Sequence, residues 1–166
     1  MKNLIKVLSL SALMLVLLAV PAWAEETDAF TSASVSNFYA DTALAGDELM
    51  EAINTFSGFY LVCTTNPDGS PNAAFFIFSC LKNEDKYYLQ MGLAENQSKL
   101  NLAENGEGVA VYAATPGSGE DAKPYAVAGA RMRFVQVTDE DLLAALNTSN
   151  SDSALFFEIT EVLPLG

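Results

Sequence analysis

The stretch from residue 59 to 81 constrains the fold of this chain more than any other. Phe59-Tyr60-Leu61-Val62-Cys63-Thr64-Thr65 and Asn72-Ala73-Ala74-Phe75-Phe76-Ile77-Phe78-Ser79-Cys80-Leu81 are two runs suited to β-strands, and Asn66-Pro67-Asp68-Gly69-Ser70-Pro71 between them is dense in turn formers. Such a pattern reads as a β-hairpin. Both strands are apolar on both faces, unlike a half-wetted meander. Each face therefore needs a cover: a barrel interior on one side, and a helix, a ligand or a second subunit on the other. With the turn centred on Asp68-Gly69, Cys63 faces Ala74 and Cys80 lies six residues further along. At roughly 3.3 Å per residue that is about 20 Å, too far for a disulfide, so two buried free thiols are expected.

The rest of the chain continues in short elements. Residues 47–54 put Leu49, Met50 and Ile53 on one helical face, with acids in the first turn and Gly58 shortly after. A third strand covers 87–92, a helix 96–105 stops at Gly106, and a fourth strand covers 108–114. Residues 115–123 form a surface loop, 125–137 a long strand with Gly129 as a bend or bulge, 139–146 a helix, and 154–162 a last strand. Six strands joined by links mostly too short for parallel crossovers describe a mainly β fold, a small antiparallel barrel decorated by short helices.

The N-terminus reads differently. Lys2 and Lys6 precede an apolar stretch over 7–20, then Pro21 and Ala22-Trp23-Ala24. This is the layout of a secretory signal cut before Glu25. Its 14 apolar residues fall short of the roughly 20 that a spanning helix needs, so no stable membrane anchor is expected after cleavage. No Cys follows the cut to carry a lipid, and no Arg-Arg pair marks the twin-arginine route. The expectation is export to the periplasm or beyond, with any cofactor acquired there. The domain reading is thus a leader over 1–24, a loosely ordered arm over 25–43 that docks by aromatics such as Phe30, Phe38 and Tyr39, and a barrel over 44–166.

Charge narrows the partners. The chain has Lys+Arg 8 against Asp+Glu 21, a net charge of −13, and loss of Lys2 and Lys6 with the leader makes it more acidic by two units. A nucleic-acid partner, which needs clustered cations, is excluded. There is no histidine, so histidine triads, histidine-ligated zinc and haem held by histidine are excluded as well. The acid clusters read as solvated faces or helix starts, no nucleophile or phosphate-loop motif is present, and the two cysteines lack the further soft ligands a metal would need. No catalytic residue can be assigned.

Taken in order, "TTNPDGSPNAAFFIF", "KYYLQMG", "NQSKLNLAENGEGVAVY" and "YAVAGARMRFVQV" resemble the pyridoxamine 5′-phosphate oxidase-like family of FMN-binding split barrels. The resemblance covers roughly residues 49–137. It implies a six-stranded split β-barrel, a homodimer, and FMN at the dimer interface, with its phosphate near the end of strand three and the start of the next helix. Carried over by position, it puts Asn72 where the family usually has a basic residue on strand two, the backbone of Ala74 and Phe75 beside the isoalloxazine, and Met91, Gln97, Ser98 and Lys99 around the phosphate. Read from spacing alone, Asn96, Gln97 and Ser98 are helix-capping residues. Two functions follow: a flavoprotein with a small-molecule redox role, or a non-enzymatic split barrel that has lost its flavin and holds another ligand.

Overall fold

The computed structural model describes residues 39–92, 94–115 and 127–166. The expected leader, nearly all of the arm and the 115–123 loop beyond Thr115 lie outside them. A 3-10 turn, Ala40–Thr42, leads into α1 (Gly46–Asn54). Then come β1 (Phe59–Thr65), β2 (Pro71–Phe75), β3 (Phe78–Asn83), β4 (Lys86–Gly92), α2 (Gln97–Asn105), β5 (Glu107–Ala113), β6 (Gly129–Gln136), α3 (Glu140–Leu146) and β7 (Ala154–Leu163).

All seven strands form one antiparallel sheet in the order β2-β1-β5-β6-β7-β4-β3. The consecutive strands β2 and β3 are therefore its two edges, joined only by Phe76 and Ile77. The sheet curls without pairing those edges, which makes a partial, split barrel. The run expected as one strand over 72–81 is thus two. Nothing in its composition marks the break, because what breaks the run is the passage of the chain from one edge of the sheet to the other and not local propensity. The hairpin register also differs by one: Cys63 faces Ala73, while Val62 faces Ala74. Both cysteines are free, as expected, with Cys80 buried and Cys63 half-buried.

Inward-facing side chains make one main core. Tyr60, Val62, Phe78, Leu89, Met91, Ala110, Tyr112, Met132, Phe134 and Phe157 meet Leu49 and Ile53 of α1 and Leu102 of α2. The ring of Tyr60 stands edge-on to Phe78 and Tyr112, and its hydroxyl donates to the Ile53 carbonyl at the end of α1. A smaller cluster of Tyr88, Val137, Leu146 and Phe156 seats α3. Helix α1 is tied at both ends. Lys82 and Tyr87 hold Asp47, keeping its carboxyl below the usual carboxylate range, and the Asn54 side chain exchanges two hydrogen bonds with the Cys80 backbone on the edge strand β3.

Among the described residues, no helix is long and apolar enough to cross a membrane, and no group of three or more acidic or cysteine side chains is placed to hold a metal.

Candidate functional site

The expected site residues lie on two faces of the β1–β2 hairpin. Because strand side chains alternate, residues paired with buried Val62 and Thr64 point inward, and those paired with Leu61 and Cys63 point outward. Asn72 and Ala74 are therefore inward and Phe75 is outward.

On the inner side a polar cluster joins the hairpin to α2. Asn72 Nδ2 donates to Thr64 Oγ1 and to Ser98 Oγ, each at 3.0 Å. Asn101 Nδ2 donates to Thr64 Oγ1 and Asn66 Oδ1, each at 2.9 Å, and Asn101 Oδ1 accepts from Gln97 Nε2 at 2.7 Å. Thr64, Ser98 and Asn101 are all buried. The helix that brings them here starts at Asn96, whose side chain accepts from the Lys99 amide, and ends at Gly106 with φ 69°. Of the seven expected site residues, the structure thus brings Asn72, Gln97 and Ser98 together. Their polar groups are engaged with one another, so the capping reading of Asn96 and the site reading of Ser98 describe one helix start. Lys99 pairs instead with Glu95 on the surface, and Met91 is buried in the core opposite Phe78 and Leu155. Thr64, Asn66 and Asn101 complete the cluster; they lie within the segments that carry the resemblance but have no site role there. The i, i+3 and i, i+4 spacing of Asn101 from Ser98 and Gln97 is the signal that could have found it.

The outer side is apolar and open. Phe59 and Phe75 are 56% and 75% exposed, and Ile77 beyond the strand end is 71% exposed, although all three are large apolar side chains. Register extends this surface across the sheet. Phe75 of β2 pairs with Leu61 of β1, Leu61 with Val111 of β5, Val111 with Arg131 of β6, and Arg131 with Leu163 of β7. Paired residues share a face, so these five form one row. A parallel row holds Ala73, Cys63, Val109, Arg133 and Glu161. Hollows flank the rows: one of about 320 Å³ lined by Phe59, Phe75, Phe76 and Ile77, and one of about 530 Å³ lined by Cys63, Gly108, Val109 and Arg133. Gly108 lets the β1 backbone and the Phe134 ring pack close, since a Cβ there would come within 2.7 Å of the Cys63 carbonyl and of that ring. Burial raises the Cys63 thiol above its ordinary range, so it is a poor nucleophile at neutral pH.

Cations are scarce throughout. Of the five among the described residues, Lys82, Lys86, Lys99 and Arg133 pair with Asp47, Glu158, Glu95 and Glu161. Arg131 has no acidic partner; its Nε donates to the Pro164 carbonyl at 2.7 Å.

No protein-family model matches the sequence, and no curated protein does. Solved structures do match. An FMN-binding protein from Syntrophomonas wolfei subsp. wolfei superposes with a TM-score of 0.50 at 16% identity, over 71% of this chain and 84% of that one. A protein from Lactobacillus delbrueckii assigned provisionally as a pyridoxamine 5′-phosphate oxidase gives 0.46 at 15% identity, over 78% and 99%. A heme binding protein from Mycobacterium smegmatis gives 0.47 at 18% identity, over 70% of this chain and only 52% of that one. The first of these shows a likeness of fold alone: the chain has a split-barrel architecture, with a sheet that is only partly closed.

Proposed function

We propose that this chain is an exported split-barrel protein that pairs with a second copy through the outer face of β2-β1-β5-β6 and binds FMN there, in a small-molecule redox role. The observation that carries the reading is the open apolar face itself. A monomer that left Phe59, Phe75 and Ile77 this exposed beside Leu61, Val109 and Val111 would keep a contiguous apolar patch in water, which marks a binding surface. A flat ring system fits it: the Phe75 and Phe59 side chains and the Leu61–Val111 row supply an apolar bed, and aromatic contacts add to area burial. Bound flavin would supply the electron transfer; the protein would supply position, water exclusion and electrostatics. Flavin suits the chain better than a histidine-ligated haem, because the sequence has no histidine.

The phosphate end fits less well at α2. Ser98 and Asn72 are hydrogen-bonded to each other, and Ser98 is 2% exposed. Lys99 is held only by a surface pair with Glu95, worth about 0–1 kcal/mol, and so can be released cheaply. The engaged state of the Ser98 cluster favours the second reading, a split barrel that holds another ligand without flavin chemistry.

The visible spectrum of protein purified from its native compartment, followed by titration with FMN, separates the two. Flavin absorbance, or saturable FMN binding that quenches flavin fluorescence, is the expected result. Colourless protein that takes up no FMN leaves only the non-flavin barrel.

A further inference from the structure

We infer that Arg131 anchors the anionic group of an elongated, otherwise apolar ligand lying along the row Phe75–Leu61–Val111–Arg131. The inference rests on the reading that the outer face takes a ligand, and adds what that ligand must carry and where.

The row has an aromatic side chain at one end and a guanidinium at the other, with only aliphatic side chains between. Three interstrand steps of about 4.8 Å separate the ends, roughly 14 Å in all. Arg131 differs from every other described cation. It has no carboxylate partner among the described residues. Its Nη2 is buried with no hydrogen-bond partner, while Nε is fixed by the Pro164 carbonyl. Two residues on, Arg133 in the parallel row is neutralised by Glu161 at 3.1 Å, so the sheet readily supplies an acid to one arginine and withholds it from the other. A guanidinium held at Nε is fixed in one orientation, and a phosphate, sulfonate or carboxylate oxygen that displaced what covers Nη2 would satisfy the free donor with a charge-assisted hydrogen bond. Leaving a buried donor unpaired is costly, and a cost of this kind persists where a site is built for something bound. The α2 start, by contrast, offers an anion polar groups already in use. The ligand class is therefore an apolar ring or chain ending in one oxyanion about the width of three strands away; FMN is one member.

Two matched pairs of probes test this on the full chain: anilinonaphthalene sulfonate against uncharged N-phenylnaphthylamine, and FMN against riboflavin. Wild-type protein is expected to bind both anionic probes. Arg131→Gln should weaken them by about tenfold or more, the factor expected for one charged hydrogen-bonded anchor, and leave the uncharged probes unchanged. Arg131→Lys, which keeps the charge, should recover part of the loss. Because the substitution removes an unpaired buried donor and gives up only the Nε bond to the Pro164 carbonyl, Arg131→Gln should unfold at about the same temperature as wild type, a result that a structural role would not give. Sulfonate binding through Arg131 without FMN binding would sustain the anchor and remove the flavin reading. FMN binding that Arg131→Gln leaves intact would sustain the flavin reading and overturn the anchor. Equal loss of charged and uncharged probes, or a variant that changes only the monomer–dimer balance, would also overturn it, the latter by showing that Arg131 meets an acid of a second copy.

Discussion

The residue that does most to hold α2 against the hairpin is Asn101. Its amide donates to Thr64 and Asn66 and accepts from Gln97, at 1% exposure. Asn101→Leu removes all three bonds and leaves Asn66 Oδ1 short of a partner in a part-buried site, so a loss of about 2 kcal/mol is expected from urea unfolding, with the m-value unchanged. A second residue sets an alkaline limit. Burial among apolar side chains pushes the Cys80 thiol up to about 12 from an ordinary 9.0. Since the thiol ionises first in the unfolded chain, its contribution is complete below pH 9 and is lost as pH rises toward 12. The unfolding temperature should therefore fall across that window, and fall less steeply in Cys80→Ala. At this scale the structure brings together Asn72, Gln97 and Ser98, three residues that the sequence named only through a family resemblance. The sequence did not show that they satisfy one another, because Asn101 and Thr64 are 37 residues apart and only the packed helix brings them together. Nor did it single out Arg131, whose distinction is a missing partner and so belongs to three-dimensional structure alone.

At the scale of elements, helix starts were legible because capping is local chemistry. Asn96 and Asp139 both accept from the amide three residues on, where the sequence placed helices over 96–105 and 139–146. Asn96→Ala is expected to cost about 1 kcal/mol by thermal denaturation, the usual value of a side-chain N-cap. If α2 also presents its first turn to a ligand, the same substitution should weaken FMN binding beyond any effect on stability at saturating protein folding. Strands were legible too, with the last one expected over 154–162 and found at Ala154–Leu163. The exceptions are instructive. The Phe76–Ile77 interruption carries no glycine or proline of its own, and the one-residue difference at Cys63 follows from turn geometry, to which strand composition is blind. The reading that both faces of the hairpin strands need cover holds for the inner face, which has the core and α2; a cover for the outer face belongs to the proposed function.

For the whole molecule, two opposing quantities govern association. The outer face offers apolar area, while each copy carries a formal charge of −13 or lower. Sedimentation should show a dimer that tightens as salt is added, since screening weakens the long-range repulsion and leaves burial untouched. Leu61→Asp, at a half-buried position beside the exposed Phe75 on the outer face, should give a folded monomer by the same measurement, with an unchanged far-ultraviolet circular dichroism spectrum. A persistent dimer would place the interface elsewhere. The order of strands has a further consequence, in time instead of space. Strands β1 and β2, β3 and β4, and β5 and β6 are sequence neighbours or close to it, so their contacts close short loops. The pairing of β4 with β7, which sets Tyr88 against Glu158, must close a loop of most of the domain. Entropy makes such a closure slow to nucleate. Strand β7 is thus the one that joins the two halves of the sheet, and until it pairs the chain is two hairpin systems linked by the two residues between β2 and β3 and by the segment that carries α2.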